Sequence, residues 1–328
     1  MTNTIAVVGV TGNQGSSVAR VFLNESGWKV RGVTRDPSKS SATKMSAQGV
    51  EVLAGDLDDL ESLKSAFQGA NVIFGTTDFW GHMNDPATHK LAAEQKRTPN
   101  EVAFDREVSQ AKNIIDAAAA TVDTVDRFVL STLSDTRKWS NGALMQNYHF
   151  DAKAEAVYYL KATYPKLMEK TSLLMLGYYA NNWKSFSGAP KKQDDGSFVV
   201  SLPIGGDSKI PMIDAAADTG SFTKALVELP PGKVLSGAGS YISFNEWCAT
   251  FAKVNNVKCV FETIPRKTLE DAMGPFFGPE IGDMYEYFDK FGFNGGDPDV
   301  VFPWDLDISV KRTTMEEYMK AEDWSSVL

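Results

Sequence analysis

Up to about residue 177 the chain alternates short, near-continuous apolar runs with longer amphipathic stretches. The runs IAVVGV (5–10), WKVRGVT (28–34), VEVLAG (50–55), NVIFGTT (71–77), RFVLST (127–132) and SLLMLG (172–177) are short and apolar, all but the last with β-branched residues, and predict strands. Segments at 14–25, 38–47, 58–68, 102–121 and 143–163 read as helices. Strands that are apolar throughout and separated by helices imply parallel pairing, because each crossover lays a helix against the sheet. The expected fold class is α/β, built on a doubly wound parallel sheet.

Residues 81–101 break this rhythm. GHMNDPATHKLAAEQKRTPNE is polar, carries two prolines and separates the fourth strand from its helix by more than a usual connection. An insertion at the mouth of a cleft is expected there. Beyond residue 177 the pattern is less regular, with a hairpin around DDGSFVVSLPIGG (194–206), a helix at 215–228, a strand near 233–237 and helices around 243–254 and 277–290. The expected division is a first domain over 1–177, completed by the strand near 233–237, and a smaller, discontinuous C-terminal α/β lobe over 178–328. Aromatic residues crowd the last third at Phe276, Phe277, Tyr285, Tyr287, Phe288, Phe291 and Phe293. Core and lid packing explains them better than a dedicated aromatic substrate box.

Composition narrows the function classes. Over 328 residues, 43% hydrophobic and 23% charged are globular values, which exclude a collagen-like or wholly disordered chain. Thirty-three basic against 42 acidic side chains leave a net charge of −9, which argues against direct nucleic-acid binding, since that needs a basic face. The only cysteines, Cys248 and Cys259, lack zinc or redox-motif spacing, so a reducing compartment is expected. The start MTNTIAVVGV has no basic leader region, and no stretch approaches the ~20 apolar residues of a membrane span. A cytoplasmic protein that makes no membrane contact is expected, with the nucleus also open to it.

The strongest local signal is Gly9-Val10-Thr11-Gly12-Asn13-Gln14-Gly15, between the first strand and the first helix. Its spacing is G-x-x-G-x-x-G where the common dinucleotide fingerprint is G-x-G-x-x-G. The physical demand is similar: a tight turn, close backbone approach to a pyrophosphate, and a helix N-terminus facing the anion. Gly12 would permit the approach and Gly15 the close packing of helix on sheet. In this setting the sheet is expected to be Rossmann-type.

The second strand ends Val33-Thr34-Arg35-Asp36-Pro37-Ser38-Lys39. An NAD site wants a carboxylate here for the ribose 2′-hydroxyl. Thr34 stands in that place, whereas Arg35 can meet a 2′-phosphate bidentately with Lys39 as a second charge. NADP(H) is expected over NAD(H); the competing reading pairs Arg35 with Asp36 on a solvated turn. Asp56 and Leu57, after the third strand, fall at the adenine end, and Asp58 is expected to cap the next helix.

With VTRDPSK, FGTTDFW and HFDAKAE in view, the chain resembles the NmrA-like family of atypical short-chain dehydrogenases/reductases, which includes a human redox sensor and fungal proteins. GVTGNQGSSVARVFL (9–23), HFDAKAEAVYYL (149–160), YYANNW (178–183) and SLPIGG (201–206) carry the resemblance over nearly the whole length. It implies a Rossmann domain with a small α/β lobe, NADP binding and, for several members, regulation without turnover. Position by position it implies cofactor contacts at Gly9, Thr11, Gly12, Asn13 and Gln14, from Arg35 to Lys39, at Thr77, Asp78 and Lys153, and at Tyr178, Tyr179 and Asn181. Two departures stand out: Ser109 replaces a lysine frequent in the family, and the 81–101 segment is longer than in the sensor.

A working short-chain dehydrogenase presents Ser, Tyr and Lys, with the Tyr four residues before the Lys; the phenol moves the proton and the ammonium holds the nicotinamide ribose. Here Ser131 ends the fifth strand and Lys153 lies on the next helix, but His149 stands in the tyrosine's place. At about 100° per residue, His149 and Lys153 share a helix face about 40° apart, whereas Tyr148 is turned about 140° away. Two readings stay open. Loss of the tyrosine favours an NADP(H)-binding redox sensor with little turnover, active in transcriptional regulation through a protein partner. Alternatively His149, as an imidazole able to move protons near neutral pH, serves with Lys153 in an NADPH-dependent reductase of a small carbonyl, quinone or imine. His82 and His89, the other histidines, complete no metal motif, and neither a Gly-x-Ser-x-Gly elbow nor a Walker loop occurs. A monomer or homodimer is expected, with a small-molecule ligand or a regulatory protein as partner.

Overall fold

A computed structural model describes residues 2–184 and 188–328. In chain order the first part runs β1 Asn3–Val8, α1 Asn13–Leu23, β2 Trp28–Thr34, α2 Ser40–Ala47, β3 Glu51–Ala54, α3 Leu60–Phe67, β4 Val72–Gly75, α4 Phe79–Met83, α5 Pro86–Gln95, α6 Pro99–Ala119, β5 Arg127–Thr132, α7 Thr136–Trp139, α8 Tyr148–Thr163, α9 Pro165–Met168 and β6 Thr171–Leu176. The second part runs β7 Tyr178–Tyr179, β8 Lys191–Lys192, β9 Phe198–Leu202, β10 Ile210–Ile213, α10 Ala215–Glu228, β11 Val234–Gly237, β12 Ser240–Ile242, α11 Phe244–Asn255, β13 Cys259–Thr263, α12 Arg266–Phe291, β14 Val300–Val301 and α13 Met315–Ala321.

The main sheet has eight strands in the order β14-β11-β6-β5-β4-β1-β2-β3, and every pairing in it is parallel. Alternation along each strand builds two cores. Ile5 and Val7 of β1 face a layer with Val18 and Phe22 of α1 and Phe222 of α10. Ala6 and Val8 face the opposite layer, with Leu63 of α3, Ile114 of α6 and Leu160 of α8. This is the doubly wound Rossmann-type fold expected from the sequence. Strand order reverses between β1 and β4, so the crevice of the fold opens beyond their C-terminal ends.

Several elements differ from the expectations. Residues 81–101 are mostly helical, spanning the end of α4, all of α5 and the start of α6. The two prolines open helices instead of interrupting them: Pro86 follows Asp85, whose side chain accepts from Ala87 N–H, and Pro99 follows Thr98, which forms a reciprocal cap with Glu101. Proline suits a first helical turn because its missing N–H would have no partner there anyway. The cap of α3 is Asp59 and not Asp58; its carboxylate accepts from the backbone N–H of Glu61 and Ser62, while Asp58 accepts from Gln110 Nε2 at 3.0 Å. Residues 143–147 precede the helix expected from 143. The helix expected at 277–290 is the second half of α12, which kinks at Gly274, where φ is 79°.

After residue 177 the chain returns repeatedly to the main layer. β11 lies beside β6, with β14 outside it, and α10 packs on α1 so closely that a Cβ on Gly220 would stand 2.3 Å from the Ser17 carbonyl oxygen. The remaining elements form two three-stranded sheets, β12-β10-β7 and β13-β9-β8, around an aromatic core in which Trp183 stacks on Trp324 at 4.5 Å. Among the described residues no helix is long and apolar enough to cross a membrane.

Candidate functional site

A cleft of about 990 Å³ opens at the C-terminal ends of the strands and receives the residues expected to bind cofactor or take part in chemistry, apart from Pro37, Ser38 and Ser109. Gly9, Thr11, Gly12, Asn13, Gln14 and Gly15 form its floor after β1. Arg35 and Lys39 follow β2, Asp56 and Leu57 follow β3, and Thr77 and Asp78 follow β4. Ser131 comes from β5, His149 and Lys153 from α8, and Tyr178, Tyr179 and Asn181 from the segment after β6.

The glycine loop has the shape an anion needs. Gly9 takes φ 63°, and a Cβ on Gly15 would sit 2.3 Å from the Gly9 carbonyl oxygen, so α1 can start this close only with glycine there. The N-cap of α1 is Gly12, which offers no capping side chain. The first N–H groups of α1 and the positive end of its dipole are left for a ligand. Gln14 Nε2 donates to the Tyr179 hydroxyl at 2.9 Å, while its buried Oε1 has no partner.

At the far end of β2, Arg35 and Lys39 are exposed. Asp36 does not hold Arg35; its carboxylate accepts from the backbone N–H and hydroxyl of Ser38. Among the described residues Arg35 has no ion pair. Ser109 lies exposed on α6, whereas Arg106 and Gln110 of the same helix reach the cleft. There His82 meets Gln110 at 3.0 Å, and burial lowers its affinity for a proton.

Two buried glutamates organise the inner end, and neither was evident in the sequence. Lys153 Nζ donates to Glu107 Oε1 at 2.5 Å and to the hydroxyl and carbonyl oxygens of Thr77 at 2.9 and 3.2 Å. All three of the ammonium's protons thus have acceptors. His149 Nδ1 lies 2.6 Å from Glu280 Oε1, the same oxygen that accepts the His149 backbone N–H at 2.9 Å. Asn100 Nδ2 donates to Glu280 Oε2 at 2.9 Å. Nδ1 therefore carries a proton toward the carboxylate, and Nε2 is the nitrogen left for the cleft, without a partner among the described residues. Ser131 lines the same cleft but bonds neither His149 nor Lys153. Glu107 and Glu280 sit in helices with no motif around them, so no local signal marked them.

The walls around His149 are aromatic. Trp80 lies 4.8 Å from its ring and stacks on Phe277 at 5.9 Å. Tyr285, Phe288 and Phe293 belong to the core of the second lobe and also reach the cleft. Tyr287 is buried against Ser134 and stacks on Phe291. Packing thus accounts for most of the aromatic cluster, as expected, but three of its members serve as wall as well. The Tyr178 and Tyr285 hydroxyls lie 3.1 Å apart. Burial raises the Tyr178 phenol far above its usual range and pushes Tyr179 up to about 12, so both remain neutral donors.

The model of the NmrA-like family matches residues 1–326. The NmrA-like family domain-containing oxidoreductase FrzB of Cladobotryum sp is 28% identical, over 98% of this chain and 94% of that protein. NmrA, a negative transcriptional regulator solved in complex with NADP, superposes with a TM-score of 0.69 at 19% identity, over 98% of this chain and 95% of that one. The NADPH-dependent quinone oxidoreductase QOR2 of Escherichia coli, complexed with NADPH, gives 0.67 at 20% identity, over 96% and 98%. The two structural likenesses are likenesses of fold.

Proposed function

The chain belongs to the NmrA-like family, and we propose that within it this protein is an NADPH-dependent reductase of an uncharged carbonyl, quinone or imine compound. The observation that carries the reading is the pairing of His149 Nδ1 with Glu280, which leaves Nε2 as the ring nitrogen open to the cleft that also holds Lys153. The cleft fits NADP(H). The crowded Gly9–Gly15 turn and the uncapped start of α1 would take the pyrophosphate, and the ion-pair-free Arg35 with Lys39 the 2′-phosphate. Asp56 and Leu57 would flank the adenine, and Thr77, Asp78, Tyr178, Tyr179 and Asn181 the nicotinamide half. Residues 1–177, completed by β11, are then the cofactor domain, and the rest of 178–328 supplies the substrate or partner lobe.

NADPH, when bound, supplies a hydride. His149 gives the proton: with imidazolium paired to Glu280, Nε2–H donates to the substrate oxygen or nitrogen as the adjacent carbon is reduced, and solvent restores the proton. Lys153 is less suited to that step, because its ammonium is already engaged by Glu107 and Thr77. Its role is to hold Thr77 and the loop after β4 against the cleft. Besides Lys153 and His149 that end is walled by Trp80, Phe150, Tyr178, Tyr285 and Phe288, which suits a neutral substrate with an aromatic or conjugated face.

A redox-sensing regulator is the second reading, favoured by the engaged ammonium and by the histidine in place of the phenol. Such a protein would act through a protein partner, in the cytoplasm or nucleus, as monomer or homodimer. NADPH oxidation followed over a panel of quinones, aromatic ketones and cyclic imines decides between them. Substrate-dependent oxidation, reduced about 10²–10⁴-fold in His149→Phe at unchanged cofactor affinity, supports the reductase. No turnover across the panel, with partner binding or sedimentation that differs between NADPH and NADP⁺, overturns it.

A further inference from the structure

We propose that Glu280 is the positioning residue of His149, so that α12 of the second lobe completes a site whose His149 and Lys153 come from the first; the inference rests on the reductase reading. Glu280 is wholly buried, with an exposure of 0%. The donors that converge on it are the His149 backbone N–H, His149 Nδ1–H and Asn100 Nδ2–H. That is the arrangement a carboxylate needs, since in its ionised form it can only accept. Among the described residues the ionisable side chain that pairs with it is the imidazole of His149.

The contact with the backbone gives this pair its rigidity. α8 begins at Tyr148 after Asn147, whose side chain forms no cap but instead donates to Thr136 Oγ1 at 2.8 Å. The N–H of His149, in the first turn, is one of the groups an N-cap side chain would normally satisfy. Glu280 Oε1 takes that N–H and the ring Nδ1–H together, from a helix 131 residues further along the chain. One oxygen therefore fixes the start of the helix and the orientation of the ring upon it. The proton on Nδ1 is held toward the carboxylate, and Nε2 presents either a lone pair or, in the imidazolium, an N–H to the cleft.

A kink makes this reach possible. Gly274 takes φ 79° and ψ −179° within α12, and Pro275 opens the segment that carries Glu280. Asp283, one turn on, accepts the Gln146 backbone N–H at 2.7 Å, so the same segment holds the strand of chain leading into α8.

Imidazole ¹⁵N spectra of the full chain test the proposal, because only three histidines contribute. In the wild type the neutral His149 ring should carry its proton on Nδ1. Glu280→Leu removes the acceptor of both His149 bonds, so the ring should lose its Nδ1–H preference and shift toward the Nε2–H tautomer, and kcat should fall at least about tenfold with KM for NADPH unchanged. Asn100→Ala, which leaves both His149 bonds in place, should keep the wild-type tautomer. A tautomer that does not respond to Glu280→Leu overturns the proposal whatever the activity. Should that variant fail to fold, a wild-type ring protonated on Nε2 overturns it equally. A tautomer that follows Glu280 in a protein that reduces none of the compounds supports the positioning and overturns the reductase reading instead.

Discussion

Lys153 Nζ lies 2.5 Å from Oε1 of Glu107, a carboxylate with no exposed side-chain surface, and both bond the hydroxyl of Thr77. The second oxygen of Glu107 is buried without a partner, so the pair is the main compensation for its charge. Lys153→Met should therefore destabilise the fold by about 3–5 kcal/mol, because it leaves a buried charge unpaired. Adding Glu107→Leu should recover most of that loss. Urea denaturation of the wild type, both single variants and the double variant measures the coupling; strictly additive losses would contradict it.

Arg35 is the group proposed to select NADP(H) over NAD(H). It faces the cleft free of Asp36, so Arg35→Ala should weaken NADP⁺ binding by about 1.5–3 kcal/mol and leave NAD⁺ binding unchanged. Titration calorimetry with both nucleotides tests this, and equal wild-type affinities for the two would refute it.

The glycines of the loop separate two roles. A Cβ on Gly15 would stand 2.3 Å from the Gly9 carbonyl oxygen and 2.8 Å from Val10 Cα, whereas one on Gly12 would meet that oxygen at 3.4 Å, an ordinary contact. Gly15→Ala should cost about 1–3 kcal/mol of stability through overpacking. Gly12→Ala should keep its stability and lose NADPH affinity, since the added methyl would face the proposed pyrophosphate position. Thermal unfolding with and without NADPH distinguishes the two effects.

Asp151 gives the fold a pH dependence. Burial pushes its carboxyl from 3.8 up to about 7, against the Arg137 guanidinium 3.0 Å away, which favours the charged form. The folded state therefore keeps a proton that the unfolded chain releases. This contribution to stability is complete below the unfolded value near 3.8 and is lost as pH rises through about 7. Asp151→Asn should remain flat across that interval, so its stability relative to the wild type should be greater at pH 8 than at pH 5. A difference between the two proteins that is the same at both pH values, in urea titrations, would contradict the assignment.

Helix ends and the mouth of the cleft show where reading the chain stops short. The 81–101 segment is polar and holds two prolines, which give no sign of helix, yet Asp85 and Thr98 turn both prolines into helix starts. Asp58 and Asp59 are equally good caps by composition; Asp59 takes the role because its backbone is extended at the point where α3 begins. Such differences turn on the dihedrals of single residues, which a pattern of residue types does not specify.

What the sequence determined by itself is whatever depends on near neighbours. Strand and helix alternation follows from periodicity, the anion-binding turn from glycines three apart, and the shared face of His149 and Lys153 from helical geometry. The tertiary structure decided the chemistry of those two side chains. Glu107 reaches Lys153 across 46 residues and Glu280 reaches His149 across 131, and each glutamate is buried only because helices from different parts of the chain close over it. Burial and pairing are properties of the packed layers, so a glutamate that reads as one more polar position in a helix becomes, once folded, the group that holds the ammonium or aims the imidazole.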